Sequence, residues 1–130
     1  MKNILYTIIL SFLFSSVCLA EWTKLVELEE VVLYFDKESV EKNNGRIYIW
    51  SLADYKIKEE VLGGLSSASL IEVDCNNIPK KIRVISINTY SGNMGEGELL
   101  YSESKEREAD WHYPPPNSTY SRLSRYCDYK

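Results

Sequence analysis

Cysteine is the residue type whose chemistry is easiest to read here, and the chain has three: Cys18, Cys75 and Cys127. Cys18 lies in Val17-Cys18-Leu19-Ala20, behind Lys2 and the apolar run from Ile4 to Phe14. That layout is a secretory leader, residues 1–20, cut between Ala20 and Glu21. The run is short and broken by Ser11, Ser15 and Ser16, which does not suit a membrane-spanning helix. Lipid attachment at Cys18 is the rival reading, and Val17 and Ser15 are poor residues for such a site. Cleavage leaves Cys75 and Cys127, an even number in an exported chain, and such a pair is expected to be oxidised. A bridge closing a loop of roughly 50 residues is worth about 4 kcal/mol in the loop-entropy picture. Together these features put the protein in a periplasm, on a cell surface or outside the cell.

The other reactive residue types give less. His112 is the single histidine, and Asp110 lies two positions before it. A hydrolytic triad would still need a Gly-x-Ser-x-Gly elbow or a free cysteine, and the sequence has neither after the cysteines pair. His112 between Trp111 and a proline run reads as a surface or packing residue. No histidine pair and no calcium-loop spacing of acidic residues occurs, so neither a metal nor another cofactor is expected. Gly92, Gly95 and Gly97 have the wrong order for a dinucleotide fingerprint, and Glu96 would repel phosphate; a turn is the simpler reading. No catalytic residue is expected, and the chain reads as non-enzymatic.

Charge marks two candidate partner-binding groups. Lys80, Lys81 and Arg83 form a basic cluster in an acidic chain, and Arg122 and Arg125 share one face of a short helix. Either could meet an acidic partner; solvated strand-end and helix charges are the plainer reading. The ten tyrosines and three tryptophans fit a binding surface, because aromatic residues dominate binding hot spots. A β-rich core would use many of them as well. Asn117-Ser118-Thr119 fits an N-glycosylation acceptor in a host that glycosylates such sites.

These residues need elements to position them. Residues 21–36, dense in β-branched and aromatic residues, read as strand. Residues 36–42 read as a helical turn or loop, and Asn43-Asn44-Gly45 as a reversal. Arg46 to Tyr55 is the clearest strand, with Ile47, Ile49, Ser51 and Ala53 on one face and Tyr48, Trp50, Leu52 and Asp54 on the other. Both faces are largely apolar, which predicts a central strand. Gly63-Gly64 and Ser66-Ser67 read as a mobile loop. Strands follow over residues 68–75 and 81–90, a hairpin loop over 91–97, and a return strand from Leu99. Residues 102–110 read as an exposed charged stretch. Pro114 to Pro116 end the sheet, and Asn117 or Ser118 caps a terminal helix with a stripe of Tyr120, Leu123, Tyr126 and Cys127. The Cys75–Cys127 bridge would then staple that helix to the sheet.

The expected fold is α+β and mainly β: a small antiparallel sheet of about five to six strands with a C-terminal helix. A chain of 130 residues that loses its leader suits one domain over residues 21–130, burying about two-thirds of its unfolded surface. The net charge of −4 argues against nucleic acid as a partner and against a polybasic membrane anchor.

The landmarks line up with a known family. Trp22 soon after cleavage, Val32-Leu33-Tyr34-Phe35-Asp36 and Tyr48-Ile49-Trp50-Ser51-Leu52-Ala53-Asp54-Tyr55 resemble the surface-adhesin protein E family. So do Glu72-Val73-Asp74-Cys75, Lys81-Ile82-Arg83, Tyr90-Ser91 with Met94 and Gly97, Trp111, Pro116-Asn117-Ser118 and Cys127. The resemblance covers residues 21–130. It implies an antiparallel sheet with a tethered C-terminal helix, and an adhesin of Gram-negative bacteria that binds host matrix proteins. The expected function is therefore an exported binding protein for host matrix or envelope proteins. Two alternatives remain: a periplasmic enzyme inhibitor presenting the loop Gly92 to Gly97, and a structural envelope protein that forms a homodimer by edge pairing.

Overall fold

A computed structural model describes residues 20–105 and 109–128. The predicted leader, apart from Ala20, and part of the charged stretch 102–110 lie outside the described residues. Among the described residues seven strands form one antiparallel sheet: β1 (Trp22–Glu27), β2 (Val31–Asp36), β3 (Glu41–Asn43), β4 (Arg46–Tyr55), β5 (Ser66–Asp74), β6 (Lys81–Tyr90) and β7 (Leu99–Ser104). The order is β1-β2-β4-β5-β6-β7, with β3 also paired to β4. A short helix, α1 (Thr119–Leu123), runs into a 3-10 turn over Ser124–Asp128. This is the mainly antiparallel fold expected from the sequence.

The dense apolar region at the start divides into β1 and β2, which pair with each other. β2 and β3 then share one edge of β4: β2 pairs with Ser51–Tyr55 and β3 with Arg46–Tyr48. Between them the chain makes a 3-10 turn over Lys37–Ser39, capped by the Asp36 carboxylate. Ser39 bridges the gap in the ladder. Its hydroxyl accepts the Trp50 backbone N–H at 3.0 Å and donates to the Asp36 carbonyl at 2.6 Å. Ser39→Ala removes the acceptor of that backbone donor, so a loss of about 1 kcal/mol is expected in urea unfolding. The reversal after β3 uses Asn44 and Gly45, with φ of 49° and 73°, the left-handed pair a two-residue hairpin requires.

Alternation in β4 and β5 separates two faces. Ile47, Ile49, Ile71 and Val73 point to one face and pack with Phe35, Ile82 and Leu123. Leu123 is 1% exposed, so α1 inserts its one buried side chain into the sheet's apolar surface. Tyr126 packs on Phe35 with ring centroids 5.3 Å apart, and the Cys75–Cys127 disulfide fixes the next residue to the end of β5. Ser118 caps α1 by accepting the Ser121 N–H at 3.2 Å. Tyr120 differs from expectation and is 41% exposed. The chain tightens to 3-10 winding after Leu123, so the inward stripe becomes Leu123, Tyr126 and Cys127, with Tyr120 left at the rim.

Two further segments differ from the sequence reading. Ser66 and Ser67 begin β5 instead of extending the loop. Ser66 is buried, donating to the Gly92 carbonyl at 2.6 Å and accepting the Gly95 N–H at 2.9 Å. In β6, Val84 lies opposite Ile71 but Ser86 lies opposite Leu70, so Ile85 is an extra residue in a bulge. The bulge reverses the alternation. As a result Lys81 and Arg83 before it share a face with Ser86, Asn88 and Tyr90 after it.

Candidate functional site

The face of the sheet away from α1 carries Arg46, Tyr48 and Trp50 from β4, Leu70, Glu72 and Asp74 from β5, and Lys81 and Arg83 from β6. The 3-10 turn Asn93–Gly95 covers the Leu52–Asp54 end of this face, and among the described residues no α-helix covers the rest; we call it the open face. A groove of about 580 Å³ runs over Arg46, Tyr48, Trp50, Glu72 and Arg83, with Glu41 and Asn43 of β3 at its side.

Glu72 is the centre of this site. It is 1% exposed, and register places it between Tyr48 on one neighbouring strand and Arg83 on the other. Its carboxylate accepts from Arg46 at 2.9 Å, from the Tyr48 hydroxyl at 3.1 Å and from Arg83 Nε at 2.5 Å. A buried carboxylate costs several kcal/mol in lost hydration unless it is paired and hydrogen-bonded, and here both oxygens are used. One turn along β5, the Asp74 carboxylate accepts the Asn76 N–H at 3.0 Å and the Asn77 amide at 2.7 Å, and lies 3.8 Å from Lys81.

Trp111 closes one end of the cluster. His112 bridges to Ile82 through a pair of 2.8 Å backbone hydrogen bonds, which aligns the segment beside β6 past the end of β7. The Trp111 ring then meets Arg83 at 4.4 Å, Lys81 at 4.8 Å and Arg46 at 5.4 Å from its centroid. Each cation therefore has a carboxylate on one side and the negative face of an indole on the other. His112 itself is exposed and contributes backbone.

Burial, together with the neighbouring Glu72 carboxylate, pushes the Tyr48 phenol up from its ordinary value. The folded state thus holds the Tyr48 proton more tightly than the unfolded chain does. That stabilisation is complete below the ordinary phenol value of about 10 and is lost as pH rises through the higher folded value. Alkaline unfolding monitored by circular dichroism should show a fall in stability above about pH 10, and Tyr48→Phe should make that fall shallower.

The profile of the family described as surface-adhesin protein E matches residues 22–127 of this chain. The chain belongs to the surface-adhesin protein E family. No curated protein matches it by sequence at a significant level. Two solved structures show the same fold. The selenomethionine form of Haemophilus influenzae protein E superposes with a TM-score of 0.61 at 14% identity, covering 83% of this chain and 86% of that one. Protein E from non-typeable Haemophilus influenzae gives 0.58 at 15% identity, covering 87% and 79%.

In this protein E-family chain the five basic residues singled out from sequence fall on two sides. Lys81 and Arg83 lie on the open face, engaged with Asp74, Glu72 and Trp111. Lys80 reaches the other way, to the Ser124 carbonyl at 3.4 Å and the Asp128 carboxylate at 3.4 Å. Arg122 donates to the Leu25 carbonyl at 3.4 Å, and Arg125 is exposed. The loop after β6 folds back onto the sheet: Met94 N–H and the Asn93 amide both donate to Asp54, at 2.7 and 3.1 Å.

Sequence reasoning missed Glu72, Arg46, Tyr48 and the Trp111 stack as a unit. A signal was present. Glu72 and Asp74 occupy alternate positions of one strand, Arg46 and Tyr48 alternate on the next, and Lys81 and Arg83 alternate on the third. Opposite charges at spacing two on adjacent antiparallel strands form cross-strand pairs.

Proposed function

We propose that the chain is an exported, non-enzymatic binding protein that engages an extracellular-matrix or cell-envelope protein through the open face of its sheet. The observation that carries this reading is the groove over Arg46, Tyr48 and Trp50 on the face opposite α1. The helix and disulfide occupy the other face, which makes that side the scaffold. Aromatic and arginine side chains held rigidly in a concave surface are the usual anchors of a protein interface. Glu72 is committed to three donors, and this supports a binding role over general acid–base work.

Lys81 and Arg83 belong to this surface. Lys80, Arg122 and Arg125 belong to the helix-bearing side; an acidic partner contact there is the alternative interface that variants of Arg122 and Arg125 test. The leader and the disulfide support export to the periplasm or outer surface of a Gram-negative bacterium; protease accessibility on intact cells separates the two. For binding, the chain from Glu21 onward is passed over immobilised matrix proteins and envelope extracts in surface plasmon resonance. Saturable binding to at least one is expected, and its absence across the panel would remove the reading.

The exposed side chains of Leu99, Leu100 and Tyr101 on β7, an end strand of the sheet, favour a second reading, a homodimer formed by edge pairing. Light scattering after size exclusion distinguishes dimer from monomer. The inhibitor alternative needs a projecting loop, and residues 91–97 are instead tied down by Asp54 and Ser66.

A further inference from the structure

The open face holds two hollows, and Trp50 lines both. The first is the groove of about 580 Å³, where Trp50 and Tyr48 sit beside Arg46, Asn43 and Glu41. The second, about 310 Å³, sets Trp22, Trp50 and Tyr90 beside Asp36 and Asn88, with Ala68 on its floor and Ala20, which leader cleavage would remove, at its rim. The two repeat one chemistry: flat, half-buried aromatic rings next to planar amide, carboxylate or guanidinium groups.

A pyranose ring has complementary features. Its axial C–H bonds form an apolar face that stacks on an indole or phenol. Its perimeter carries neighbouring hydroxyls, which planar side chains with paired donors or acceptors can bind two at a time. The charged side chains described along the first hollow cancel, Arg46 and Arg83 against Glu41 and Glu72. A strongly charged ligand gains little there, whereas an uncharged polar one meets donors and acceptors already fixed in place. From Arg46 to Trp50 the hollows follow β4 for roughly 13 Å, a length that accommodates a few sugar rings in series. The geometry points to a cleft for a linear neutral oligosaccharide, with Trp50 as the stacking platform between two subsites. This inference rests on the open face being the binding surface and names the ligand it takes.

The test is titration of the folded chain from Glu21 with cellohexaose, chitohexaose and maltohexaose, and with a proline-rich decapeptide, a class that aromatic grooves also accept. Tryptophan fluorescence and calorimetry are the readouts. At least one hexasaccharide should bind saturably, more tightly than its monosaccharide. Trp50→Ala should weaken it about tenfold or more, the loss of about 1.4 kcal/mol of contact. Asn43→Ala, at an exposed position that leaves the fold intact, should weaken it several-fold, and Arg125→Ala should have no effect.

The inference is overturned if none of the three binds saturably, if binding ignores both Trp50→Ala and Asn43→Ala, or if only the peptide binds. The matrix-protein panel run in parallel separates the two ideas. If a matrix protein binds and Trp50→Ala abolishes it while all saccharides fail, the open-face reading stands and the saccharide inference falls. If nothing binds in either arm, both fall.

Discussion

Glu72→Ala is expected to lower the unfolding free energy by about 3–5 kcal/mol, the cost of removing one partner from a buried ion pair. The substitution strips the anion from between Arg46 and Arg83, takes the acceptor from the Tyr48 hydroxyl and leaves a void in β5. The Arg46 side chain is partly exposed and regains water, so most of the cost falls on Arg83, whose side chain is only 13% exposed. Urea unfolding should show a lower midpoint with an unchanged slope. Glu72→Gln keeps the shape but not the charge and should fall between wild type and alanine. A double-mutant cycle with Arg83→Met should return a coupling of about 1 kcal/mol or more. A Glu72→Ala protein as stable as wild type would show that the cluster does not hold these strands together.

Removing the Cys75–Cys127 bridge, by Cys75→Ser with Cys127→Ser, is expected to cost about 4 kcal/mol for a 52-residue separation. The loss has a location as well as a size. α1 is five residues long, far below the length at which an isolated helix holds in water. Without the bridge it is retained by Leu123, the Tyr126–Phe35 contact and the polar contacts of Lys80 with Ser124 and Asp128 and of Arg122 with the Leu25 carbonyl. Hydrogen exchange should therefore show residues 119–128 opening before the sheet, exposing Ile47, Val73 and Ile82. Retained protection of those residues in the double serine variant would contradict this account of how the helix is held.

Much of the scaffold could be read in the sequence, because it depends on local signals. The alternation of β4, the Asn-Gly reversal and the cysteine pair each name their own structural consequence. The exact span of β6 was readable, but its bulge was not. Ile82, Val84, Ile85 and Ile87 look like a single apolar run, and only pairing with Leu70 and Ile71 shows that Ile85 is extra. That one residue decides which face Lys81 and Arg83 share with Ser86 and Tyr90. The site was harder to see for the same reason. Arg46, Glu72, Arg83 and Trp111 come from three strands and a late bridging segment, so their meeting depends on register across the sheet. Ser66 was hidden differently: a serine two residues after a glycine pair reads as loop until the hydrogen bonds to Gly92 and Gly95 are known.

The central claim is that partners are bound on the open face, away from the disulfide-tethered helix. The most direct measurement is surface plasmon resonance against the matrix and envelope panel, comparing wild type, Trp50→Ala and the double variant Arg122→Ala with Arg125→Ala. The account predicts saturable wild-type binding, weakened about tenfold or more by Trp50→Ala and little changed by the double variant. Binding lost in the double variant but intact in Trp50→Ala would place the interface on the helix side and contradict it.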